Sequence, residues 1–255
     1  MKVVGVIPAR MGSSRFPGKP LAMIGDVPML GHVYFRSRLN RRLDALYIAT
    51  CDPEIRRYAL EIGAECVMTS SEHERASDRT AEAVGTIERR SAAAIDAAVM
   101  IQGDEPMIDP AMIDEAMAPL AGDPSVQVVN LMAAIDDDAA RDASEIKVVC
   151  DRNGDALYFS RHPIPCRRGT PEVALYKQVC VIPFRRTFLD TFSGLEPTPL
   201  ERAESIDMLR ALEHGYRVRM VKTAYVTRSV DTLEDLIAVT SLMGKDALLA
   251  RYGAA

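Results

Sequence analysis

Short runs of β-branched and small apolar residues, at 2–8, 45–50, 65–69, 97–102 and 126–131, alternate along the chain with longer stretches at 27–39, 53–62, 75–90 and 110–120. The longer stretches carry the apolar spacing or the end signals of helices. Strands separated by helices run parallel, because only a crossover of a dozen or more residues brings the chain back to start the next strand from the same end of the sheet. The alternation predicts an α/β fold, a doubly wound sandwich with a mostly parallel central sheet, in which ligands sit at the C-terminal ends of the strands.

Past residue 145 the rhythm changes. Runs at 146–150 and 156–160 flank Asp151-Arg152-Asn153-Gly154-Asp155, a hairpin turn by its Asn-Gly pair. A further β run at 178–184 continues this pattern. The stretch 199–214 reads as one helix, 218–221 as a return to the sheet, and 233–242 as a closing helix. The expected organisation is a single domain over 1–255 with an antiparallel insertion at 146–200, and with no internal repeat or low-complexity linker.

The core must be aliphatic, since 48% of the 255 residues are hydrophobic but only 5% are aromatic and none is Trp. Five cysteines, an odd number with no CxxC pair, argue against a disulfide framework or a structural zinc site and predict reduced core thiols. The apolar run 3–9 is too short for a signal peptide, and no segment nears the ~18 apolar residues of a membrane span, so the expected location is the cytoplasm. Net charge is −5, yet residues 1–42 hold eight Lys/Arg against one Asp. That imbalance points to an anionic ligand at the N-terminal end. A nucleic-acid surface would need a broad basic face interleaved with aromatics, and the rest of the chain is acidic.

The basic residues fall in Gly12-Ser13-Ser14-Arg15-Phe16-Pro17-Gly18-Lys19-Pro20, directly after the first strand run. A Walker loop would place four residues between its glycines and a Ser or Thr after the lysine. Here five intervene and Pro20 follows, so phosphate binding rests on charge and backbone flexibility alone. Carboxylates end two other β runs, in Gln102-Gly103-Asp104-Glu105-Pro106 and Ser229-Val230-Asp231-Thr232. A carboxylate at a sheet edge needs a cation to offset its desolvation, and the pair Asp104 and Asp231 suggests magnesium. A helix N-cap is the plainer role for the second cluster, and a solvated loop or helix start is the reading for Asp136-Asp137-Asp138. His32, His73, His162 and His214 share no ligand spacing and are expected to be structural, and Ser13 and Ser14 lack a partner histidine for nucleophilic work.

Five motifs taken in order, IPARMGSSRFPGKPL, HERASDRTAE, IQGDEPMI, ALYFSRHPIP and SVDTLEDL, resemble the 3-deoxy-manno-octulosonate cytidylyltransferases, also called CMP-Kdo synthetases, nearly end to end. The resemblance implies a nucleotidyltransferase α/β sandwich with a dimerising antiparallel insertion and a place in lipopolysaccharide biosynthesis. It also implies a reaction in which a sugar-acid hydroxyl attacks the α-phosphate of CTP and expels pyrophosphate. By the same resemblance Pro8, Ala9 and Gln102 lie near the cytidine, Arg10, Ser13, Arg15 and Lys19 meet the nucleotide phosphates, and Arg79 supports the nucleotide. Lys19, Arg15, Asp104 and Asp231 would form the catalytic set, with Mg²⁺ on the two aspartates, and Arg161, Gln178, Glu204 and Asp207 would face the acceptor. The implied partners are CTP, an acidic small molecule and a second copy of the chain, with no nucleic acid or membrane.

The acceptor side departs from the family pattern. Its usual His-Ile-Gly-Ile-Tyr strand becomes Gln178-Val179-Cys180-Val181-Ile182, and its Glu-Gln-Leu-Arg segment becomes Asp207-Met208-Leu209-Arg210. A site built to hydrogen-bond hydroxyls discriminates by them, so the loss of polar partners predicts weaker use of Kdo. The open alternatives are CMP transfer to another nonulosonic acid or to a small phosphonate, and a nucleotide-binding module without turnover.

Overall fold

The computed structural model describes residues 1–12, 15–168, 173–225 and 227–252, and Ser13 and Ser14 lie outside them. Its contacts divide the chain into two compact units, Met1–Asp114 with Val226–Ala255, and Glu115–Tyr225. The second unit is larger than the stretch 146–200 singled out above. The chain is an α/β protein.

In the first unit, β1 (Val3–Pro8) is followed by short β2 (Met23–Ile24) and β3 (Val27–Pro28), then α1 (Met29–Arg38), β4 (Ala45–Thr50), α2 (Pro53–Glu61), β5 (Glu65–Met68), α3 (Ala76–Ser91) and β6 (Ala97–Ile101). Helix α4 (Pro110–Gly122) carries the chain onward. The parallel ladder runs β6, β1, β4, β5, and the residues of β1 and β6 are buried along their whole length. Their runs are therefore continuously apolar rather than alternating, as parallel strands covered on both faces require. From β1 the chain steps outward to β4 and β5, then returns past β1 to β6. The direction reverses between β1 and β6, and a crevice for a ligand opens outside the C-terminal ends of such a pair. Gly103 keeps those ends close, because a Cβ there would meet the Pro8 carbonyl oxygen at 3.2 Å.

The second unit holds β7 (Val129–Ile135), α5 (Asp137–Arg141), β8 (Lys147–Cys150), β9 (Ala156–Ser160), β10 (Leu175–Val179), β11 (Val181–Arg185), α6 (Arg186–Ser193), α7 (Pro199–Glu204), α8 (Met208–Glu213) and β12 (Arg219–Thr223). Its sheet is mixed: β12 joins β7 in parallel, while β7 with β10, β10 with β8, and β8 with β9 are antiparallel. The β8–β9 hairpin forms where expected. The Asp151 carboxylate accepts the amides of Asn153 and Asp155, and Gly154 takes φ +82°.

Three expectations are corrected here. The run at 178–184 is two strands separated at Cys180, with β10 laddered to β7 while Phe184 bridges Val128. The stretch 199–214 is two helices, because Ser205 turns to φ +55° and ends the first. The cysteines are free thiols, but Cys166 is exposed and the other four are only half-buried. Asp136 caps α5 by accepting the Ala139 amide, so the acidic triplet is a helix start.

The α7–α8 turn is fastened by a buried ion pair in which Arg210 donates through Nε (2.9 Å) and Nη2 (2.7 Å) to the two oxygens of Glu201, with its guanidinium 5.0 Å from the Phe192 ring. Removing one member of such a pair leaves an uncompensated buried charge. Arg210→Met is expected to destabilise the protein by about 3–5 kcal/mol, and the double variant Glu201→Gln/Arg210→Met to recover part of that loss; urea unfolding midpoints check both.

Candidate active site

The C-terminal end of β1 feeds the basic loop, and the loop is tied down at both ends. The Met11 amide donates to Asp52 Oδ2 (2.8 Å), and the Gly18 amide returns to the Met11 carbonyl (3.1 Å) with Gly18 at φ +75°. A one-turn 3-10 segment, Lys19–Leu21, follows. Phe16 packs on an apolar cluster of Ile24, Met29, Val230, Val239 and Met243. The same cluster thus seats the residue after Arg15 and the residue before Asp231.

The β6 end supplies the third part. The Val230 amide donates to the Asp104 carbonyl at 2.9 Å, so the two carboxylate-bearing segments are joined through backbone. Their side chains meet on one ammonium: Lys19 Nζ lies 2.8 Å from Asp104 Oδ2 and 3.1 Å from Asp231 Oδ1, and Arg15 Nη2 reaches the same Asp231 oxygen at 3.0 Å. Lys19 and Asp231 are 13% and 15% exposed, against 54% for Arg15. Burial works against the Lys19 charge, but Asp104 and Asp231 outweigh it and hold the ammonium above the ordinary lysine value, so it is charged at neutral pH.

Asp231 does not cap the closing helix Leu233–Met243. That role belongs to Thr232, whose hydroxyl accepts the Asp235 amide (3.2 Å) while the Asp235 carboxylate accepts the Thr232 amide (3.0 Å). Asp235 also accepts the Asp231 amide at 3.2 Å, which orients the Asp231 backbone and leaves its carboxylate to Lys19 and Arg15.

Of the other candidates in this unit, Pro8 and Ala9 are buried at the β1 exit, Arg10 is exposed and Gln102 is half-buried after β6. Ser13 is outside the described residues. Arg79 is buried, and its guanidinium is taken up by the segment after β5: it donates to the Thr69 hydroxyl and to the carbonyls of Ser70 (3.2 Å) and His73 (3.3 Å). In the second unit Arg161 and Glu204 come together. Arg161 donates from Nε to the Glu204 carbonyl (2.7 Å), and the Glu204 carboxylate accepts the Arg161 amide and the Ser160 hydroxyl, both at 2.8 Å. Asp207 stands at the start of α8. Gln178 is buried and donates to Asn130 Oδ1 at 2.5 Å. Ile182 and Met208 are also buried.

Two positioning residues escaped the sequence reading. Asp52 holds the start of the basic loop, and its only signal was an acid two residues after a β run. Fully buried Lys147 donates to the carbonyls of Asp142 (2.8 Å), Glu145 (2.6 Å) and Arg161. A lone lysine inside the apolar run of β8 was its signal. Among the described residues no three His, Cys, Asp or Glu side chains gather as a metal cluster, and no helix is long and apolar enough to cross a membrane.

A basic loop and two carboxylates gathered where the strand direction reverses define the class of a nucleotide-binding transferase. The comparisons agree with it. Residues 4–223 match the cytidylyltransferase family model. A 3-deoxy-manno-octulosonate cytidylyltransferase of Solibacter usitatus is 45% identical over 99% of this chain and 98% of its own, and one of Geobacter metallireducens is 40% identical over 96% and 99%. A CMP:2-keto-3-deoxy-manno-octonic acid synthetase solved with CTP superposes with a TM-score of 0.87 at 36% identity, covering 96% of this chain and 99% of that one. A Leptospira borgpetersenii cytidylyltransferase, at 19% identity and a TM-score of 0.65, shares the fold. The chain belongs to the 3-deoxy-manno-octulosonate cytidylyltransferase family, and it is a CTP-dependent nucleotidyltransferase.

Loss of an N-cap hydroxyl costs about 1 kcal/mol. Thr232→Ala is expected to lower stability by about that amount in a thermal melt, and also to weaken CTP binding measurably, because the cap sets the backbone of Asp231.

Proposed function

We propose that the protein transfers CMP from CTP to the acid sugar Kdo with release of pyrophosphate. The observation that carries this reading is the convergence of Asp104, Asp231, Lys19 and Arg15 outside the β1 and β6 ends. The names of the relatives give the acceptor. The expectation of weakened Kdo use is not carried into this reading: the Ile182 and Met208 side chains are buried, and the Gln178 amide is engaged with Asn130.

In this reading the sugar-acid hydroxyl oxygen bonds to the α-phosphorus as the bond to the bridging oxygen breaks, and the electron pair leaves with pyrophosphate. No covalent enzyme intermediate is needed, since phosphoryl transfer depends on positioning and charge neutralisation. Arg10, Ser13, Arg15 and Lys19 take the phosphates, Pro8, Ala9 and Gln102 border the cytidine, and Arg79 acts through the segment it holds. Arg161 and Glu204, with Asp207, serve the acceptor.

Two carboxylates directed at one cation suit Mg²⁺, which takes one or two protein carboxylates and completes its shell with phosphate oxygens and water. Asp104 and Asp231 would hold it, and when bound it would offset the triphosphate charge and ease ionisation of the attacking hydroxyl. The same reading carries a doubly wound nucleotidyltransferase sandwich, a homodimer assembled through the region 146–200, and a cytoplasmic location.

The test is pyrophosphate release with CTP and a panel of 2-keto sugar acids and simple phosphonates. Kdo is expected to give the highest kcat/KM, and a better acceptor in the panel would replace it in the proposal. Asp104→Asn and Asp231→Asn are each expected to reduce turnover at least ~100-fold with the fold intact by circular dichroism. Calorimetry should show Lys19→Ala and Arg15→Ala losing far more affinity for CTP than for CMP, because their charges face the β- and γ-phosphates; equal losses would remove them from that role.

A further inference from the structure

Lys19 Nζ stands within 3.1 Å of both carboxylates, at the place a cation shared by Asp104 and Asp231 would take, and Arg15 adds a second positive charge on the Asp231 oxygen that Lys19 already occupies. The two carboxylates and two cations balance to zero. A divalent ion entering this arrangement finds the Asp231 oxygen doubly engaged. It would coordinate at ~2.1 Å from the oxygens that Lys19 contacts, which forces like charges together in a partly dry site.

We propose that Lys19 is a placeholder cation: in the nucleotide-free enzyme it fills the metal position and excludes Mg²⁺, and the triphosphate opens that position by drawing Lys19 and Arg15 onto its own oxygens. This rests on the assignment of Asp104 and Asp231 as the metal ligands. The side chain has the means to move, since its four-carbon stem swings without any change in the backbone of the 3-10 turn that Gly18 begins. Metal and nucleotide are then coupled. The metal's apparent affinity is reduced by the fraction of molecules in which Lys19 holds the carboxylates, and CTP removes that penalty. By linkage the metal strengthens CTP binding by the same factor. Lys19 serves the reaction twice, as a phosphate ligand and as the group that keeps the carboxylates paired until the nucleotide arrives. A phosphate contact standing away from Asp104 and Asp231 would give no reason for the metal affinity of the empty enzyme to depend on it.

The probe is Mn²⁺, followed by the electron paramagnetic resonance signal of the free ion, with nucleotide-free wild type, Lys19→Met, Lys19→Gln and Lys19→Met/Asp104→Asn/Asp231→Asn, each checked for fold by circular dichroism. Wild type is expected to leave nearly all Mn²⁺ free at submillimolar concentration. Both Lys19 variants should bind one equivalent at least ~10-fold more tightly, and the triple variant should lose that site. Calorimetry of CTP with and without Mg²⁺, on wild type and Asp104→Asn/Asp231→Asn, tests the underlying assignment separately. If Mg²⁺ strengthens CTP binding in wild type alone, but the Lys19 variants hold Mn²⁺ no better than wild type, the placeholder role is overturned and the metal assignment stands. If Mg²⁺ strengthens CTP binding equally in both proteins, the assignment falls and the placeholder role with it.

Discussion

One backbone hydrogen bond, from the Val230 amide to the Asp104 carbonyl, underlies the whole site. It joins the segment after β6 to the approach of the closing helix, parts of the chain far apart in sequence, and it does so without spending either side chain. Both aspartates are therefore left to a third element, the loop leaving β1. The parallel ladder sets the separation of the β1 and β6 ends, Gly103 permits their close approach, and the Thr232–Asp235 cap fixes the direction from which Asp231 arrives. Each device is weak alone. Together they hold two carboxylates at one point, where a cation between them offsets their mutual repulsion.

Much of this was legible in the sequence because it rests on local chemistry. Strands β1 and β6 showed as continuous apolar runs, since burial on both faces leaves no polar positions to interrupt them. Helix starts showed through Pro53 and Pro110. The catalytic candidates showed because charge at the end of a buried strand is costly. The second unit was harder. Gln178 to Phe184 has one apolar pattern, and only the switch of partners around Cys180 divides it, which is a tertiary fact. The break at Ser205 was hidden for a related reason: an exposed serine does not announce a positive φ by its type, and the apolar spacing runs on through it unchanged.

Side-chain partners were the least legible. The sequence could offer Arg79 and Gln178 as ligand contacts, yet in the structure the guanidinium holds Thr69, Ser70 and His73, and the amide holds Asn130. Nothing in residue type separates a polar group that meets a substrate from one that secures the scaffold around it. Lys147 makes the same point in reverse, as a charge passed over in the sequence that gathers three carbonyls, one of them from Arg161.

The apolar cluster under the basic loop has a consequence for how such a site can vary through descent. Phe16, Val230, Val239 and Met243 carry no charge themselves, but they are the common mount of Arg15 and Asp231. A volume change at any one of them displaces what is mounted on it, because a closely packed interior transmits strain. The charged residues can persist unaltered in lineages whose mount has drifted, but only if that drift is paired: a smaller side chain on the helix has to be answered by a larger one beneath the loop. The inheritance of the site is thus written partly in hydrophobic positions that a search for chemical groups would pass over.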